Sequence, residues 1–83
     1  MSSIEFISLN VRGLRNMHKR KRIFRNLKER KLDVICLQET YVTEEVVEQW
    51  RKEWGGELTF FEGTKHGKGQ MILVKKTFRL NGQ

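Results

Sequence analysis

At 83 residues the chain holds one small domain at most, and surface scaling makes chains of that size marginal without staples or partners. The single cysteine excludes an internal disulfide and fits a reducing compartment, nuclear or cytoplasmic. No apolar run approaches the length of a membrane span and the N-terminus carries no charged-then-apolar segment, so neither membrane nor secretion is expected.

In chain order, residues 4–10 (Ile4 to Asn10) read as a first strand. Ile4 and Phe6 point one way, and Ile7 and Leu9 break strict alternation with them. Both faces are then partly apolar, as expected of a sheet covered on two sides. Asn10 to Asn16 reads as a loop in which Gly13 is free to take a positive φ. Asn16 is a candidate N-cap for a helix in which Met17, Ile23, Phe24 and Leu27 form an apolar stripe. Arg20 lies over that stripe through its methylenes. His18, Lys19, Lys21, Arg22, Arg25 and Lys28 form a basic outer face.

Leu32 to Leu37 reads as a central strand, its run Val34-Ile35-Cys36-Leu37 suiting burial on both faces, with Cys36 as a small core residue. Thr43 offers the next N-cap, and Glu44 and Glu45 fill a first turn where the helix dipole favours acids. Val46, Trp50 and Trp54, spaced by four with Val47 beside them, read as a packed stripe rather than as base-stacking aromatics. Gly55-Gly56 stops that helix. Glu57 to Glu62 and Met71 to Lys75 read as two further strands around a loop with three glycines, Gly63 to Gly69. That loop lacks the phosphate-binding pattern Gly-x-x-x-x-Gly-Lys-Ser/Thr. Phe60 and Phe61 fall on opposite faces of their strand. No repeat, low-complexity tract or proline marks a linker.

Charge is unevenly placed. Residues 12–31 hold ten Lys or Arg against one acid, residues 39–62 hold seven Glu against Arg51 and Lys52, and residues 65–79 hold five Lys or Arg and no acid. Such basic blocks suit a polyanion such as nucleic acid, although a solvated helix face produces the same pattern. Arg12, Arg15, Lys19, Arg22 and Tyr41 are the candidate nucleic-acid contacts. Tyr41, two residues after Glu39, either flanks the cleft or packs.

Two segments carry the chemistry: Ile7-Ser-Leu-Asn-Val-Arg-Gly-Leu14 and Asp33-Val-Ile-Cys-Leu-Gln-Glu-Thr40. Strand, helix and strand of this length make a right-handed βαβ unit whose strands end at one sheet edge. Open α/β sheets bind ligands outside that carboxyl edge. Asn10 and Glu39, 29 positions apart, therefore come side by side. A carboxylate is a good ligand for Mg²⁺, and a neutral amide donates to a phosphoryl oxygen without adding negative charge. The blander reading is a solvated Glu after a strand and a turn Asn before a glycine loop. His18 and His66 have no partner at ligand spacing and read as surface residues.

Leu9-Asn10-Val11-Arg12-Gly13-Leu14 followed by Leu37-Gln38-Glu39-Thr40 resembles the start of the endonuclease/exonuclease/phosphatase superfamily, in the style of the apurinic-type endonuclease domains of long interspersed retrotransposons. The resemblance implies an α/β fold: the N-terminal part of a DNase I-like four-layer α/β sandwich in the order β-α-β-α-β-β, with residues 1–83 forming a partial domain. It implies Mg²⁺ as cofactor, Glu39 as metal ligand and catalytic residue, and Asn10 as the catalytic asparagine that orients phosphate and site. The family's Tyr, Asp-x-Asn, further Asp and Ser-Asp-His motifs are absent, so a DNA endonuclease activity, if present in the parent, is expected to be missing or weak here. In the family small apolar residues follow the loop glycine, whereas Gln70 and Met71 follow Gly69 here. The rivals are a non-catalytic basic nucleic-acid-binding remnant and a fragment of a phosphatase of the same superfamily. A sandwich cut at this point leaves an apolar sheet face uncovered, so the chain is expected to self-associate or to need a C-terminal half.

Overall fold

The computed structural model describes residues 4–63 and 68–75. The elements in chain order are β1 (Phe6–Asn10), α1 (Met17–Glu29), β2 (Val34–Gln38), α2 (Glu44–Trp54), β3 (Glu57–Phe61) and β4 (Gln70–Val74). They form a mixed α/β fold with one four-stranded sheet in the spatial order β1-β2-β4-β3. β1 and β2 are parallel, as the intervening helix requires, and β2–β4 and β3–β4 are antiparallel. His66 and the stretch Thr77 to Gln83 lie outside the described residues.

The register sorts the side chains onto two faces. Ile7, Ile35, Leu73 and Leu58 form one cross-strand row, and Leu9, Leu37, Met71 and Phe60 the next. Both rows lie in or against the core that α1 and α2 complete with Phe24, Leu27, Val47, Trp50 and Trp54. Met71 is fully buried, so a large flexible side chain fills the place after Gly69 where small residues were expected. Both tryptophans are buried, and Trp54 meets Phe24 edge-on at 5.7 Å. Its indole Nε1 donates to Val74 O at 3.1 Å, tying α2 to β4.

The opposite face corrects the expectation of a sheet covered on two sides. It carries Phe6, Val34 and Val74 in one row and Ser8, Cys36 and Ile72 in the next. Phe6 is 63 % exposed and Ile4 59 %, while Val34, Cys36, Ile72 and Val74 are only half-buried. Both helices pack on the other face, so nothing among the described residues covers this one. Cys36 is accordingly not a core residue.

Local signals explain the helices. Asn16 Oδ1 accepts from Lys19 N at 2.9 Å, the cap expected of that residue. Thr43 makes no such bond; Glu44 N donates instead to Glu62 Oε2 at 2.9 Å. Met17, the first residue of α1, is 46 % exposed and leaves the apolar stripe. Arg20 takes its place in a specific way. Its guanidinium is buried and grips Glu53 through two bonds, Nε to Oε1 at 2.5 Å and Nη2 to Oε2 at 2.9 Å. Nη1 donates to Leu14 O at 3.0 Å, and the group stacks on Trp50. Arg20 thus locks α1, α2 and the loop after β1 together.

Candidate active-site edge

The carboxyl ends of β1 and β2 meet as the parallel pairing requires. The ladder continues past both strands: Val11 N donates to Gln38 O at 3.0 Å, Gly13 N to Glu39 O at 2.6 Å and Leu14 N to Thr40 O at 3.1 Å. Two loops that leave the sheet are thereby zipped together. Across this seam Asn10 Nδ2 donates to Glu39 Oε2 at 2.5 Å. Asn10 Oδ1 accepts from Arg12 N at 3.1 Å, which fixes the amide's orientation through its own turn.

The backbone around the pair is strained. Arg12, Glu39 and Tyr41 take φ values of 53°, 56° and 60°, a left-handed conformation that non-glycine residues seldom adopt and that clusters at functional sites. Gly13, at φ 94°, lets the Tyr41 ring approach; a Cβ there would meet the ring at 3.3 Å. Beneath the edge, Thr40 is fully buried, and its Oγ1 accepts from Val42 N at 3.2 Å. Thr40 N and Tyr41 N donate to Gly69 O and Lys68 O at 3.1 and 2.7 Å, so the segment before β4 backs the β2 loop.

That backing brings in a residue the sequence reading missed. Lys68 Nζ lies 3.6 Å from Glu39 Oε1. Only the β2–β4 register, with Gln70 opposite Gln38, puts position 68 at this edge, and no local pattern foretells it. The Glu39 carboxyl is held below its ordinary 4.5, chiefly by the Asn10 hydrogen bond, against partial desolvation and with help from Lys68 and Arg12. It is therefore ionised at neutral pH, in a ring of donors and cations.

The other candidates fall around this pair at different distances. Arg15 Nε donates to Tyr41 O at 3.4 Å, and Lys19 Nζ to Arg12 O at 3.1 Å, so both cations border the edge. Tyr41 packs against Gly13 and is 42 % exposed. Arg22 stands apart, on the wall of a groove of about 410 Å³ between β1 and α1 that has Asn10 at its end. His18 is exposed on α1.

The sequence profile of the Endonuclease/Exonuclease/phosphatase family matches residues 7–81, nearly the whole chain. The chain belongs to this family. Comparison with curated proteins found no match. Members of the family generally use divalent metals. Among the described residues no group of three or more His, Cys, Asp or Glu could hold a metal ion. Glu39 would supply one ligand to such an ion, the rest coming from water and substrate phosphates, since Mg²⁺ takes one or two carboxylates. The Lys68 ammonium, 3.6 Å from Oε1, competes with a metal ion for that carboxylate.

Proposed function

We propose that this chain is the N-terminal part of a Mg²⁺-dependent DNA endonuclease of the apurinic, retrotransposon-like type, built on one half of a four-layer α/β sandwich. The observation that carries the reading is the Asn10–Glu39 hydrogen bond at the carboxyl edge, ringed by Arg12, Arg15, Lys19 and Lys68. Glu39 presents an ionised carboxylate to a cation. Asn10 holds that carboxylate and keeps a neutral donor next to the place a phosphoryl oxygen would take. The surrounding cations draw in a polyanion. A bound Mg²⁺ would neutralise phosphate charge and polarise its P–O bonds.

The chain alone is inactive in this reading. Hydrolysis needs a general base to activate water, and the side chains that engage Glu39 among the described residues are Asn10 and Lys68, neither of which is a His or a second carboxylate. The uncovered sheet face supports the same conclusion, since it is the surface a second half would cover. A non-catalytic binding remnant is the second reading, favoured by the single carboxylate and its lysine neighbour.

Binding of a short DNA duplex with and without Mg²⁺ separates the two. The endonuclease reading expects Mg²⁺ to tighten binding by wild type and not by Glu39→Ala, because the ion bridges carboxylate and phosphate. Equal affinity in all four conditions would leave the remnant. Plasmid nicking by the isolated chain is expected to stay at background; clear nicking that Glu39→Ala removes would overturn the claim of incompleteness.

A further inference from the structure

α1 divides its cations between two flanks. Lys19 reaches the carboxyl edge and Arg22 lines the β1 groove. Lys21, Arg25 and Lys28 follow at steps of four and three, so they share the other flank, beside α2. With Phe24 as floor and Glu53 opposite, they line a groove of about 310 Å³.

The one carboxylate in that groove is already committed. Glu53 binds Arg20 through both oxygens and accepts from Gln49 Nε2 at 3.1 Å. Lys28 Nζ is anchored on Glu53 O at 2.8 Å and lies 5.8 Å from the Trp54 ring centroid, which holds its charge in place. Among the described residues Lys21 and Arg25 form no hydrogen bond or close ion pair, and Lys21 feels Glu53 only at longer range. Like charges four residues apart oppose helix formation, so the arrangement is costly unless an anion lies between them.

The spacing favours an extended anion. From Lys21 to Lys28 the helix advances roughly 10 Å in two intervals, more than one phosphate group spans. A row of three cations over that length matches successive phosphodiesters better than one isolated phosphate. The groove lies on the helix layer, on the far side of the sheet from Phe6, Cys36 and Ile72, so it stays accessible whatever covers that face.

We propose that the α1–α2 groove is a second nucleic-acid contact, a phosphate-backbone track separate from the Asn10–Glu39 edge. It rests on the nucleic-acid reading above but not on metal. It is tested by fluorescence anisotropy of a labelled DNA duplex with the 83-residue chain, in chelator, over a salt series. A Lys21→Gln/Arg25→Gln variant is expected to bind about tenfold more weakly, with a log–log salt slope shallower by about two. The single Lys21→Gln variant is expected to lose about one unit of slope. Both side chains are exposed, and unchanged circular dichroism verifies the fold. A Lys31→Gln/Lys52→Gln control removes equal charge from exposed positions elsewhere and is expected to bind within about twofold of wild type. Equal losses in the two double variants would overturn the proposal, because net charge alone would then hold the DNA. Displacement of the duplex by polyglutamate at matched charge would overturn its nucleic-acid assignment. Failure of the metal site leaves these chelator measurements unchanged, so the two readings fail separately.

Discussion

Asn10 and Glu39 hold each other in place across the seam between two loops, and each depends on the other for its state. Removing the amide in Asn10→Ala takes away the largest influence lowering the Glu39 carboxyl. Its titration, followed by carboxyl-carbon NMR, is then expected to move up toward 4.5. In wild type the interaction is fully present above the ordinary carboxyl value and fades as pH falls through the depressed one. Cation binding at Glu39 should therefore persist through neutral and mildly acidic pH and vanish only below about 4.5. Gly69 is the other residue on which the edge turns. Its φ is 79° and a Cβ there would stand 3.2 Å from both Thr40 Oγ1 and Val42 N. Backbone cannot yield as a side chain can, so Gly69→Ala is expected to cost about 2 kcal/mol in denaturant unfolding. An unchanged unfolding midpoint would count against this account of the β2 loop.

At the scale of elements, Arg20 and Glu53 decide how the helices sit. Their side chains are 7 % and 11 % exposed, so the ion pair is not a solvated surface contact. Arg20→Ala leaves the half-buried Glu53 carboxylate without its main partner and is expected to destabilise by about 1–3 kcal/mol. Glu53 is held below 4.5, first by its bond to Arg20 and against burial. A carboxyl depressed on folding stabilises above its unfolded value, and that contribution is lost as acid protonates the folded form. The melting temperature should thus fall below about pH 4.5 and fall less steeply in Glu53→Gln. The elements themselves were largely legible, because apolar spacing, the Asn16 cap and the Gly55-Gly56 stop are local signals. The adjacency of Asn10 and Glu39 was legible too, since a parallel pair joined by a helix brings its two strand ends together. What escaped depends on contacts distant in sequence. Arg20 shows its position on the apolar stripe but not its partner 33 residues away, and Lys68 reaches Glu39 only through the β4 register.

At the scale of the whole molecule, one sheet face is finished and the other is not. Phe6, Val34, Cys36, Ile72 and Val74 form an apolar surface with Asn10, Gln38 and Gln70 as a polar strip along its carboxyl edge. Reading consecutive apolar residues as burial on both sides failed here, because periodicity reports which faces are apolar and not whether a partner covers them. Exposed apolar sheet surface favours association. Light scattering is expected to show self-association, and a sharp, concentration-independent melt of a monomer would contradict it. We propose that the Asn10–Glu39 pair of this family member organises one half of a metal site. Titration calorimetry of Mg²⁺ into the chain and into its Glu39→Ala variant tests it most directly. Saturable binding by the wild type that disappears in the variant is the predicted result; no binding by either chain, or equal binding by both, would contradict it.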